Sequence, residues 1–215
     1  MELKKESMQI LKEKSRAKSQ ITFDEDFNVP DAKPDAGRLI QNKGRIIMDD
    51  VRLTDGKGIL TGNLQVDILY VGEERGIVSS LTAKLPFEET LNLKNIINGD
   101  KMCLKWEIED LTIRLIHSRK LNIKALVTFC ATVDETEQIR LPVDAEEVSV
   151  RKKTVRFLGL TVHKKDTLRI KDEYTIASNR PDIASLIWYT MDVRGLDLKP
   201  EENVVKARGE LSVFV

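Results

Sequence analysis

Leu60-Thr61-Gly62-Asn63-Leu64-Gln65-Val66-Asp67-Ile68-Leu69-Tyr70 is the stretch whose reading decides the fold. Leu60, Gly62, Leu64, Val66, Ile68 and Tyr70 fall on one face, and Thr61, Asn63, Gln65 and Asp67 on the other. A period of two is that of a half-buried strand. The same alternation returns at Leu121, Ile123, Ala125, Val127, Phe129, Ala131 and Val133, against Asn122, Lys124, Thr128 and Thr132. Met102, Leu104, Trp106 and Ile108 form a third run, which changes parity at Glu109-Asp110 and resumes with Leu111, Ile113 and Leu115. A parity change inside a strand predicts a bulge, or a bend that carries the strand between sheets. Turn chemistry separates the runs: Asp55-Gly56 with Gly58, Gly72, Asn98-Gly99-Asp100 and Asp134-Glu135. Long strands joined by short turns predict a mainly β protein of antiparallel, sandwich-like units.

Helix signals are few. Lys33-Pro34-Asp35-Ala36-Gly37-Arg38-Leu39-Ile40 follows the capping-type acid Asp31, has an early proline and an apolar pair, and meets Gly44. This predicts a helix of one or two turns, so the fold class carries one or two short helices. Residues 3–12 hold a helical stripe of Leu3, Met8, Ile10 and Leu11. An internal repeat argues instead that this segment is extended.

The repeat has an offset of 147. Pro34-Asp35 aligns with Pro181-Asp182, Leu39-Ile40 with Leu186-Ile187, and Gly62, Leu64 and Val66 with Gly209, Leu211 and Val213. Residues 3–12 then align with a stretch at 154–159 that alternates as a strand does. Apolar phase, turn proline and glycine recur together, as when one supersecondary unit is used twice. The units expected are 1–145 and an incomplete copy at 146–215. The second stops within the strand that corresponds to Leu60–Val71, so the expectation is either a fragment of a longer protein or completion of the second unit by strands from elsewhere. Strand 210–215 then offers an open edge for self-association.

Ser19-Gln20-Ile21-Thr22-Phe23-Asp24-Glu25-Asp26-Phe27-Asn28-Val29-Pro30-Asp31-Ala32-Lys33-Pro34-Asp35 resembles the opening of the SPOCS domain of SipL-like spore-coat assembly proteins. The runs Gly62–Val71, Leu85-Pro86-Phe87-Glu88-Glu89-Thr90, Trp106–Leu111 and Ser118-Arg119-Lys120-Leu121-Asn122-Ile123 are similar to later parts of it. The resemblance covers about residues 3–134, and 150–215 more weakly. It implies a protein of the mother-cell cytoplasm at the forespore surface that acts by protein–protein contact. The implied partner is the coat's basement-layer ATPase or another coat protein. Many members end in a LysM domain, and no LysM-like segment occurs in this sequence.

The candidate chemistry reads as structural. Asp31 and Asp35, with Asp24, Glu25 and Asp26 nearby, lack the spacing of a calcium loop. Asp31, Pro34 and Asp35 read as a turn and cap, with Ser178, Pro181 and Asp182 as their counterparts. His117 and His163 have no geometry with Cys103 or Cys130 that suggests a nucleophile, and no zinc spacing is present. No phosphate-binding loop, nucleophile elbow or dinucleotide fingerprint occurs, so no catalytic residue, cofactor or metal is expected. The basic runs Arg151-Lys152-Lys153 and His163-Lys164-Lys165 read as solvated faces. Trp188 and Tyr189 replace Gln41 and Asn42 of the first copy, which marks them as covered by the first unit, by the missing end of the second, or by a partner.

Composition agrees with this. Lys plus Arg and Asp plus Glu both number 35, so charge gives no reason to expect nucleic acid. No apolar run nears the roughly 20 residues of a membrane span. Two cysteines and a charged start without a leader's apolar stretch predict a reduced, cytoplasmic chain. The function expected is non-catalytic scaffolding in spore-coat assembly. The alternative, a carbohydrate- or cell-wall-binding module, requires a row of exposed aromatics, and aromatics are only 5% of the chain.

Overall fold

A computed structural model describes residues 3–74, 76–97, 99–146, 148–154, 156 and 167–215. Among the described residues eight strands occur in the order β1 (Leu3–Asn28), β2 (Ala36–Thr54), β3 (Lys57–Gly72), β4 (Val78–Asn92), β5 (Met102–His117), β6 (Lys120–Ala145), β7 (Thr190–Pro200) and β8 (Val205–Phe214). They form antiparallel sheets β1-β6-β5, β2-β3-β4 and β7-β8. The strand expected at 154–159 and the basic run at 163–165 lie outside the described residues, Thr154 and Arg156 apart.

The first two sheets pack face to face. Their central strands, β3 and β6, carry the two deciding alternations, and Leu60, Leu64, Val66, Ile68, Tyr70, Leu121, Ile123, Val127 and Phe129 are fully buried. Phe87 of β4 reaches across to the other sheet, 6.2 Å from the ring of Phe23 on β1 and 5.2 Å from that of Phe129 on β6. Gly44 of β2 is needed for close approach, because a Cβ there would lie 2.9 Å from Leu111 Cδ2 of β5. Beyond the sandwich, Leu3–Glu13 and Asp134–Ala145 continue as a two-stranded, mostly solvated arm. At roughly 3.3 Å per residue the arm is some 35–40 Å long.

Parity breaks mark bulges. Pairing of β5 with β6 shifts between Ile108 and Asp110, so Glu109 is the extra residue and Leu111, Ile113 and Leu115 return to the core side. Another shift between Glu13 and Ser15 frees Lys14 to meet Asp100 at 2.8 Å, while Ser15 Oγ accepts from Lys94 N at 2.9 Å. This bulge fastens the loop between β4 and β5 to β1.

The helix expected after Asp31 does not form, and the described residues contain none. Pro30–Lys33 is a β-turn closed by Lys33 N to Pro30 O at 2.9 Å, and Ala36 already begins β2. Register shifts at Ala36/Arg38 and Leu39/Gln41 give β2 two early bulges. They disturb alternation and produce the adjacent Leu39-Ile40 pair that resembles a helical pattern. Pairing with β3 satisfies the backbone of this segment and outweighs its weak local helix signal. Residues 3–12 are extended, as the repeat argued.

Hairpin β7-β8 has the register of β2-β3 displaced by 147. Thr190↔Phe214, Val193↔Leu211, Asp197↔Arg208 and Pro200↔Val205 match Lys43↔Asp67, Ile46↔Leu64, Asp50↔Thr61 and Leu53↔Gly58. Each hairpin is irregular at the same place, between Met48 and Asp50 in one and between Arg194 and Asp197 in the other. The turn bond of Lys33 to Pro30 likewise has its counterpart in Arg180 N to Ala177 O at 2.9 Å.

Candidate functional site

Two constellations gather the residues singled out in the sequence. The first lies at one end of the sandwich, where the chain crosses from β1 to β2. Arg119, in the two-residue turn between β5 and β6, donates from Nη1 to Lys33 O and to Asp35 Oδ1, both at 2.9 Å, and from Nη2 to Asp31 Oδ1 at 2.8 Å. Ser118 Oγ lies 3.3 Å from Asp35 Oδ2, and Tyr70 OH donates to Pro34 O at 2.8 Å. Backbone bonds close the junction: Val29 N to Arg119 O at 2.9 Å and Ala36 N to Ser118 O at 2.7 Å. With no helix to cap, Asp31 and Asp35 serve a guanidinium instead. The planar fork of arginine suits two carboxylates and a carbonyl at once.

At the positions displaced by 147, Ser178 and Pro181-Asp182 lie at a similar turn, and the segment 167–187 is largely exposed. Arg180 N closes that turn as Lys33 N does. Sequence reasoning missed Arg119. Its only signal was membership of the Ser118–Ile123 run beside the Pro-Asp motif, because the two stretches are 83 residues or more apart.

The second constellation is on the outer face of β2-β3-β4. Trp188 and Tyr189 lie just before β7, at a cleft of about 320 Å³ whose walls include Lys43, Arg45, Gln65 and Asp67. Tyr189 OH accepts from Arg45 Nη1 at 3.4 Å, and Arg45 Nη2 pairs with Asp67 at 3.1 Å. The bond to Tyr189 holds the Arg45 guanidinium above its ordinary range against the opposing effect of burial, with a lesser contribution from the charge of Asp67. Trp188 Nε1 and Arg45 Nε are buried without an acceptor among the described residues. Buried donors of this kind demand a partner.

Other candidates stay apart. Cys103 is exposed, Cys130 is half-buried, and they pair across the ladder with Thr132 and Lys105 respectively. His117 Nδ1 accepts from Arg119 N at 3.3 Å within the β5–β6 turn. Lys152 pairs with Asp144 at 2.8 Å at the root of the segment that follows β6. Among the described residues no helix is long and apolar enough to cross a membrane.

The class defined by this geometry is an antiparallel β-sandwich whose sheets are locked by an arginine–carboxylate junction. Residues 35–116, 82 of the 215, match the family model of the SipL, SPOCS domain, so the chain carries a SipL-like, SPOCS-type segment there. No curated protein and no solved structure matches it.

Proposed function

We propose that this protein is a non-catalytic scaffold of spore-coat assembly that works by protein–protein contact. The SPOCS match at 35–116 carries the reading. Its place of action is the mother-cell cytoplasm at the forespore surface, and its partner is the coat's basement-layer ATPase or another coat protein. Two related units, 1–145 and 146–215, divide the chain. The contact surface is the cleft at Trp188 and Tyr189. A large aromatic pair beside Lys43 and Arg45 offers apolar area together with donors, the chemistry common at interface hot spots. A partner's carbonyl or carboxylate placed there would accept from Trp188 Nε1 and Arg45 Nε.

The test is a pull-down of the basement-layer ATPase with the full chain and with a Trp188→Ala/Tyr189→Ala variant. Capture by the parent and loss in the variant is the expected result. Capture by both moves the contact away from the cleft. Capture by neither removes that ATPase as the direct partner.

A further inference from the structure

The two rims of the sandwich differ. Along β1, polar bonds span the layers: Lys14 pairs with Asp100 at 2.8 Å, Lys94 N donates to Ser15 Oγ at 2.9 Å, and Ser19 Oγ donates to Glu89 at 2.6 Å. The other rim is formed by β2 and β5, each the edge strand of its sheet, and among the described residues no side-chain bond joins them. Trp106 stands on the core side of β5, opposite Phe129, yet is 45% exposed. Val51 stands on the core side of β2, opposite Leu60, and is 42% exposed. Two open strand edges with apolar residues between them mark an interaction surface.

Contacts between the layers fix the levels of the two strands. Gly44 lies against Leu111, where a Cβ would come within 2.9 Å, and Gly58, the ladder partner of Leu53, lies against Met102. From Gly44 to Leu53 β2 takes nine steps, and from Leu111 back to Met102 β5 also takes nine. Each stretch contains one bulge residue, Asp49 in β2 and Glu109 in β5. The levels therefore correspond residue by residue. Asp50 is level with Lys105, Met48 with Trp106, and Arg45 with Asp110. All four charged side chains lie on outer faces, since their ladder partners Thr61, Cys130, Gln65 and Leu126 alternate with core residues. Among the described residues Lys105 and Asp110 take part in no ion pair.

We propose that this rim is the interface of a twofold dimer, in which β2 of each copy pairs antiparallel with β5 of the other. A twofold axis parallel to the strands exchanges the two layers and keeps every level and direction. Asp50 then meets Lys105 of the second copy, and Arg45 meets Asp110. Opposite charges facing each other across a ladder favour this register. Both three-stranded sheets become six-stranded, and Trp106 and Val51 are covered between them. One added strand, from elsewhere in this chain or from another protein, closes β2 or β5 but not both, and leaves the apolar residues between the layers half covered. A second copy of the rim brings two edges at the same spacing with complementary charges, the self-matching patch of a closed dimer. Strand β7 corresponds to β2 by the offset of 147. It meets Lys105 through Asp197 but sets Asp192 against Asp110, and it leaves β2 open. The inference goes beyond the scaffold reading, and its test stays clear of the cleft at Trp188 and Tyr189.

The experiment is sedimentation velocity of the full chain across a dilution series. A dimer that dissociates on dilution is expected. Asp50→Lys or Lys105→Asp alone weakens it by about tenfold or more, because each change acts twice in a twofold interface. The two changes together restore it, which separates lost pairing from a damaged fold. A chain that is monomeric throughout the series overturns the proposal. So does a dimer indifferent to both single changes, which places the contact elsewhere. Rescue of Lys105→Asp by Asp197→Lys, and not by Asp50→Lys, assigns β5 to β7 and rejects the twofold rim. ATPase capture by the parent chain tests the scaffold reading separately in every case.

Discussion

Arg119 at the tip of the β5–β6 hairpin and Asp35 at the entrance to β2 are joined by a hydrogen bond of 2.9 Å that ties one sheet of the sandwich to the other. The same guanidinium holds Asp31 and the carbonyl of Lys33, but the three contacts are unequal. Asp31 is fully exposed, whereas Arg119 and Asp35 are partly screened. Arg119→Ala is expected to cost about 1–2 kcal/mol in urea unfolding, from loss of charge-assisted bonds in a half-wet site. Asp31→Ala should change stability by less than about 0.5 kcal/mol. Equal losses for the two would contradict this ranking.

Glycine 62 gives a steric prediction. Gly62→Ala drives a methyl into the Ile47 carbonyl and the Phe87 ring, while Gly209→Ala meets only a 3.3 Å contact in a more open place. Overpacking of this kind costs about 1–3 kcal/mol. The first substitution should lower the thermal midpoint by several degrees and the second should leave it almost unmoved.

The bulge at Glu109 sets the facing of everything after it. Its carboxylate accepts from Thr128 Oγ1 at 2.5 Å and from Gln20 Nε2 at 3.0 Å, so the extra residue is pinned by its neighbour β6 and by β1 beyond it. Deleting Glu109 alone removes the extra residue and leaves Asp110 opposite Leu126 and Leu111 opposite Ala125 in a regular ladder, whereas deleting Glu109 and Asp110 together turns Leu111, Ile113 and Leu115 to the solvent side, as a one-residue slip reverses a strand's faces. The double deletion is expected to abolish cooperative unfolding, read by near-ultraviolet circular dichroism, whereas deletion of Glu109 alone retains it.

Acid stability has a local contributor at Lys14 and Asp100. The Lys14 ammonium, then the amide of Ile97, hold the Asp100 carboxyl below its usual range, with burial opposing them. A carboxyl lowered in the folded state adds stability above its unfolded value, near pH 3.9, and loses it as pH falls through the folded one. Lys14→Met should therefore lower stability at neutral pH and flatten its decline below pH 4. A decline of unchanged steepness would show that other carboxylates dominate.

Much of this architecture was legible because β3 and β6 are central strands. Leu60–Tyr70 and Leu121–Val133 each bury one whole face, and full burial writes itself as strict alternation. The Glu109 bulge could also be read, since it breaks an otherwise clean parity. Strand β2 was misread because it is an edge strand with bulges near both ends, so Leu39-Ile40 and Ile46-Ile47 depart from period two. Its extended state is imposed by β3, a tertiary cause that local pattern does not contain. The junction was half legible: the Pro-Asp turn stood out, but nothing local says that Asp35 meets Arg119 84 residues later. Trp188 and Tyr189 were recognisable only through comparison with Gln41 and Asn42, a signal that depends on the repeat.

The pairing of β1 with β6 has a consequence during synthesis. Phe23 faces Ala125 and Leu3 faces Ala145, so the first strand made finds its place only when nearly the last residue of the sandwich has left the ribosome. The meander β2-β3-β4 is complete some fifty residues earlier, by Asn92, and can assemble first. Until Leu121–Val127 emerge, Ile21, Phe23 and Phe27 have no strand to pair with and are open to chaperones or to neighbouring nascent chains. Such long-range closure places the folding of this sandwich among the slower two-sheet topologies. Its yield in a cell making many copies at once should therefore respond more to translation rate and chaperone supply than to the stability of the finished fold.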